Sequence, residues 1–179
     1  MNHLGTKKLI SNRLILRKFL SNDSIELLEG YFNQDEFLYY ANKTKKNLGE
    51  IEKWLLEVND RYKEVNYYNW AIVLKDTNKI IGAINLRVNE SNDCVEFNYA
   101  IDNRYTGNGY MTEALNAVKE FCMNELNVAR FQGGCCIQNI ASKRVMEKCN
   151  LVCEGILRKY IKLKDGYHDM CMYSIINEI

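Results

Sequence analysis

The chain has 179 residues, 47% of them hydrophobic and 26% charged, with a formal net charge of +1. That length suits one domain, 1–179, with a sizeable core, and the near-zero charge argues against direct binding to nucleic acid or an anionic membrane. No run of about 18 apolar residues suggests a membrane span, and the start MNHLGTKK lacks the long apolar segment of a signal peptide, so a cytoplasmic setting is expected.

In chain order, RLILRKF (13–19) reads as an opening strand with partial alternation. SNDSIELLEGYF (21–32) reads as one capped helix, and NLGEIEKWLLEVNDRYKEV (47–65) as a second. In the second, Ile51, Trp54, Leu55, Val58 and Tyr62 recur at three- and four-residue spacing. The period then changes. YNWAIVLKD (68–76) and KIIGAINLRVN (79–89) read as a hairpin, and CVEFNYAID (94–102) as a third strand. YMTEALNAVKEFCMNEL (110–126) carries an apolar stripe of Met111, Ala114, Leu115, Val118, Cys122 and Leu126, and predicts a helix.

VARFQGGCC (128–136) reads as a buried strand, and NIASKRVMEKCN (139–150) as a helix capped by Asn139. Two last strands, 151–164 and 167–176, are joined at Asp165-Gly166. The order β α α β β β α β α β β predicts an α+β fold with a mixed sheet. The strands on either side of the 110–126 helix should be parallel neighbours, because a crossover separates them.

Seven cysteines, an odd number without paired Cys-x-x-Cys spacing, argue for reduced thiols and against a zinc ribbon. With only His3 and His168, a multi-histidine metal site is not expected. Cys135 and Cys136 read as core. His168 reads as surface, with a role in a cleft as the alternative. Tyr39-Tyr40 and Tyr67-Tyr68 could line an acceptor cleft or simply pack. The basic clusters Lys43–Lys46 and Arg158-Lys159 read as solvated surface.

The stretch NRYTGNGYMTEAL (103–115) lies between a strand and a helix. Gly107 and Gly109 permit positive φ and close approach to the backbone. The helix start offers unpaired N–H groups and partial positive charge. Together they suit a phosphate or pyrophosphate. A P-loop would need Gly-Lys-Ser/Thr, and Gly109 is followed by Tyr110 and Met111. A dinucleotide fingerprint would need a small residue where Thr112 stands, in a first βαβ unit.

Arg104, Gly107 and Gly109 match Arg/Gln-x-x-Gly-x-Gly/Ala, the pyrophosphate loop of the GCN5-related N-acetyltransferases (GNAT). The chain resembles that superfamily over nearly its whole length. Within it, RLILRKF, WAIVLKDTNKIIGAINL, EFNYAIDNRYTGNGYMTEAL and NIASKRVMEK are similar to the RimJ/RimL-like group, which acetylates N-terminal alanines of ribosomal proteins. Asn150-Leu151 departs from that group's usual Gly-Phe.

The resemblance implies a GNAT fold: a mostly antiparallel sheet of about seven strands with splayed central parallel strands. It implies acetyl-CoA as donor and no metal. The pyrophosphate would rest on N–H groups of Tyr105, Thr106, Gly107, Asn108, Gly109 and Tyr110, with Arg104 adding charge or fixing the loop. The pantetheine arm would pair with the strand edge near Tyr99, Ala100 and Ile101, facing Asn139 and Ser142 of an Asn-x-x-Ser match. A homodimer is compatible with the resemblance.

Acyl transfer needs a neutral amine, a stabilised oxyanion and a departing thiolate. Glu96 is the candidate base, directly or through water, or else a strand carboxylate paired with a cation. A backbone N–H near Tyr99 or Ala100 could serve the oxyanion. Many relatives carry a tyrosine where Met146 stands, so Ser142 is the candidate thiolate proton donor, or else a helix-start cap. The acceptor would be a protein N-terminus or, alternatively, a small-molecule amine. A non-catalytic acetyl-CoA binder is the competing class.

Overall fold

The computed structural model describes residues 1–178. Its centre is one eight-stranded sheet, made of β1 (Leu9–Ile10), β2 (Leu14–Arg17), β3 (Tyr68–Leu74), β4 (Ile80–Asn89), β5 (Cys94–Ile101), β6 (Arg130–Cys136), β7 (Val152–Leu163) and β8 (Gly166–Ile176). The spatial order is β1-β2-β3-β4-β5-β6-β8-β7. All neighbours run antiparallel except β5 and β6, the pair on either side of the expected crossover. That pairing is short: Cys94↔Arg130, Val95↔Phe131 and Glu96↔Gln132.

The period-two pattern of β3 sorts the two cores. Tyr68, Trp70 and Ile72 face one cluster with Leu14, Ile84, Leu115, Val118 and Phe131. Ala71 and Val73 face another with Phe19, Leu27, Ile51 and Leu55. All seven β3 residues are buried, as expected of a central strand covered on both faces. The first cluster lies under α4 (Tyr110–Phe121) and α5 (Ile140–Lys148), the second under α1 (Ser24–Glu29) and α3 (Leu48–Arg61). Asn47 and Glu50 make a capping box at the start of α3: the Glu50 N–H donates to Asn47 Oδ1 at 3.0 Å, and the Asn47 N–H to Glu50 Oε2 at 2.9 Å.

Four expectations need correction. The sheet has an eighth strand, β1, too short to show a period. The 21–32 helix is broken: α1 ends before Gly30 (φ −95°, ψ −148°), a tight turn follows at Tyr31–Asn33, and a further helix, α2 (Asp35–Tyr40), comes next. The 110–126 helix is regular only to Phe121, after which Cys122–Leu126 widens into a π-turn ended by left-handed Asn127. The final hairpin turns on Lys164-Asp165, because Leu163 pairs with Gly166, which belongs to the strand.

Candidate active site

The glycine loop sits where β5 runs into α4. Asp102 closes β5; it is fully buried, and its N–H donates to Ile81 O at 2.8 Å. Its carboxylate accepts the Arg104 N–H at 2.9 Å and the guanidinium through Nε (2.9 Å) and Nη2 (2.6 Å). Burial pushes the Asp102 carboxyl up, but the Arg104 bonds outweigh it and hold the group below the ordinary carboxylate range. Arg104 is thus bound back onto the strand end, an arrangement that fixes the loop. Gln34 Oε1 accepts the Asn103 N–H at 2.8 Å, and Asn108 Nδ2 donates to Tyr105 O and Thr106 O at 3.2 and 3.1 Å.

Gly107 and Gly109 take φ of +79° and +77°, a region L-residues rarely enter. The Tyr105 and Thr106 N–H groups are used within the turn, donating to Asp102 O and Asn103 O. From Gly107 to Thr112 the backbone N–H groups have no acceptor among the described residues. Six consecutive free donors at the N-terminus of a twelve-residue helix form a cradle for anionic oxygens. A Cβ built on Gly107 meets nothing within 4 Å, so the cradle is open.

Arg13 and Glu113 brace this loop, and the sequence reading assigned neither. Glu113 accepts the Arg13 N–H (2.6 Å), Arg13 Nε (2.7 Å) and Ser11 Oγ (2.7 Å). Arg13 Nη1 donates to Asn108 O at 3.1 Å, and its guanidinium lies 4.4 Å over the Tyr110 ring. The two residues are 100 positions apart; the only sequence hints were an arginine opening a strand and a glutamate in the first turn of a helix.

Beyond Glu96, β5 parts from β6. Tyr99, Ala100 and Ile101 pair only with β4, opposite Ile84, Ala83 and Gly82. Phe97 stacks on Phe131 at 4.7 Å and on Tyr99 at 6.0 Å, and Gly133 makes room for it, since a Cβ there would overlap the Phe97 ring. Across the opening, Asn139 Oδ1 accepts the Ser142 N–H at 3.0 Å and caps α5. Tyr99 Oη donates to Ser142 O at 3.2 Å, and burial pushes this phenol's pKa up. Met146 is 1% exposed and belongs to the core.

Glu96 lies on the opposite face, beside a cavity of about 440 Å³ that is also lined by Arg87, Glu90 and Gln132. Its carboxylate is 3.5 Å from Gln132 Nε2 and 4.0 Å from Arg87 Nη1, and its side chain is 34% exposed. The structure therefore sets Tyr99 against Ser142 where β5 leaves β6, with the Gly107–Tyr110 loop following β5, and places Glu96 at the last β5–β6 pair, on the other face. Cys135 and Cys136 are buried, and burial raises the Cys135 thiol to about 12, far from a nucleophile's range. His168 is paired with Asp165 at 2.8 Å. No helix of the described residues is long and apolar enough to cross a membrane.

A mixed sheet that opens around one short parallel seam, with an anion cradle at the next helix, defines the class. The family model described as "Acetyltransferase (GNAT) domain" matches residues 13–152, and the chain belongs to that family. It is an acetyltransferase. The chain is 25% identical over 170 residues (94% of this chain, 95% of the relative) to N-acetyltransferase p20 of Bacillus licheniformis, itself called uncharacterized. It is 24% identical over 150 residues (83% and 79%) to the ribosomal-protein-serine acetyltransferase of Escherichia coli K12. The ribosomal-protein-S5-alanine acetyltransferase of Vibrio fischeri shares the fold, with a TM-score of 0.83, 20% identity and coverage of 96% and 97%.

Proposed function

We propose that the chain, as a single domain, moves the acetyl group of acetyl-CoA to a primary amine, the α-amine of a protein N-terminus. The observation that carries this is the run of unpaired N–H groups from Gly107 to Thr112 beside a strand edge with no partner. It suits a donor with both a pyrophosphate and an amide-bearing arm. The N–H groups of Gly107, Asn108, Gly109 and Tyr110 hold the phosphate oxygens; Tyr105 and Thr106 shape the turn. Tyr99, Ala100 and Ile101 offer the strand edge, and Asn139 and Ser142 close the other side.

Bound acetyl-CoA supplies an activated acyl group. An α-amine has a pKa of about 7.7–8.0, so a fraction is already neutral near pH 7, and Glu96 takes the proton the attacking nitrogen sheds. A backbone N–H of β5 near Tyr99 faces the developing oxyanion. Ser142 Oγ is the hydroxyl beside the departing sulfur. The names of the Escherichia coli and Vibrio fischeri relatives support a protein acceptor. The free thiols fit a reducing cytoplasm.

The test is release of free thiol from acetyl-CoA against N-terminal peptides and a panel of small amines. Turnover with Ala- or Ser-initiated peptides is expected. Turnover confined to small amines would overturn the acceptor assignment, and tight donor binding without turnover on any acceptor would overturn the enzymatic reading.

A further inference from the structure

A cradle of N–H groups works only while its peptide planes keep their donors turned toward the anion. A trans peptide points its C=O and its N–H to opposite sides. Between Asn108 and Gly109 that plane can turn over at little steric cost, because glycine accepts φ of either sign. A flip would put a carbonyl where a donor stood, and a carbonyl repels phosphate. The next plane, between Gly109 and Tyr110, is fixed by the helix: the Glu113 N–H donates to Gly109 O at 3.0 Å. Asn108 O lies outside that ladder. Its one partner among the described residues is Arg13 Nη1, at 3.1 Å.

Arg13 is itself held from several sides. Its carbonyl accepts the Lys75 N–H at 3.0 Å, which pins its backbone beside the end of β3. Its Nε donates to Glu113 Oε2 at 2.7 Å, and its guanidinium packs over the Tyr110 ring. A Cβ on Gly109 would stand 3.6 Å from Arg13 Nη2, so the guanidinium lies directly against this glycine. Burial pushes the Glu113 carboxyl up, but bonds from Arg13 and Ser11 outweigh it and hold the group below the ordinary carboxylate range. Glu113 is therefore an anion in the first turn of α4, and Arg13 is the cation that offsets it. Arg104 cannot take over, because its guanidinium is bound to Asp102.

We propose that Arg13 is a positioning residue for the donor: by holding the Asn108 carbonyl, it keeps the Gly109 N–H turned toward the donor's phosphates. This rests on the proposed function, since it takes the cradle to hold the pyrophosphate of coenzyme A. Arg13 acts from behind the loop, through the peptide plane, and does not touch the donor.

The test measures dissociation constants for coenzyme A and for pantetheine, which has the arm and the thiol but no phosphate. Arg13→Met keeps the length of the side chain and removes its hold on Asn108 O. It should weaken coenzyme A binding about ten- to a hundredfold, the worth of one charge-assisted bond, and leave pantetheine unmoved. KM for acetyl-CoA should rise by the same factor while kcat at saturating donor stays the same. Unchanged coenzyme A affinity, or equal weakening of both ligands, would overturn the proposal. Glu113→Ala separates position from charge and decides the matter if Arg13→Met does not fold. It removes a negative charge near the phosphates but also the anchor of Arg13. Position predicts weaker coenzyme A binding; tighter or unchanged binding would overturn the proposal. If wild type bound coenzyme A no more tightly than pantetheine, the cradle of the proposed function would fail, and the role of Arg13 with it.

Discussion

Replacing Gly107 with alanine separates the two jobs a glycine can have at this loop. The added Cβ meets no atom within 4 Å, so its folding cost comes from holding an L-residue at φ +79°. That conformation costs about 1–2 kcal/mol. In a chain of this size each kcal/mol lowers Tm by about 2–4 °C, so a fall of about 2–8 °C is expected. The same Cβ stands where anionic oxygens approach the free N–H groups of Gly107 to Thr112. Losing one charge-assisted bond, worth about 1.5–3 kcal/mol, weakens coenzyme A binding roughly ten- to a hundredfold. Gly166→Ala is the control: Gly166 has φ +135° and open space around it, but lies in the final hairpin. Thermal unfolding and calorimetric titration with coenzyme A read both quantities. If Gly107→Ala lowers Tm but binds coenzyme A like wild type, Gly107 is only a turn residue and the cradle is misplaced.

Three further outcomes follow from the same geometry. Glu96→Gln should lower kcat by about 10²–10⁴-fold while leaving acetyl-CoA affinity intact; steady-state kinetics with unchanged kcat would reduce Glu96 to a partner of Arg87 and Gln132. Asn139→Ala removes the α5 cap and should cost about 1 kcal/mol in chemical unfolding, whereas Ser142→Ala, whose N–H still finds Asn139, should spare stability and lower kcat. The folded Asp102 carboxyl titrates below its unfolded value, so its stabilisation is present above about pH 4 and is lost as pH falls through the folded pKa. Asp102→Asn should therefore flatten the acid limb of a stability–pH curve, and an equally steep limb would refute the Arg104 pairing as its source.

The parts of the fold with a long period were legible in the sequence. The α4 stripe from Met111 to Val118 came through because one face of the helix is buried over many residues, and the hairpin of β3 and β4 because its strands are long apolar runs buried on both faces over much of their length. Short elements were not: β1 has two residues and α2 six, and tertiary contacts, such as Phe37 against the second cluster, hold α2 where local propensity does not. At the site, Arg104, Gly107 and Gly109 were readable because their spacing is local. Arg13–Glu113 was not, because folding joins residues 100 positions apart in the chain.

The three residue pairs between β5 and β6 also divide the molecule into two pieces that each keep their own antiparallel ladder. The chain passes from one to the other at exposed Asn127, just after the π-turn. A cut there leaves the glycine cradle on one fragment, and Asn139, Ser142 and the hairpin tip on the other. Mixed together, the fragments would regain function only by rebuilding the seam, which makes this junction a natural place to build a split reporter.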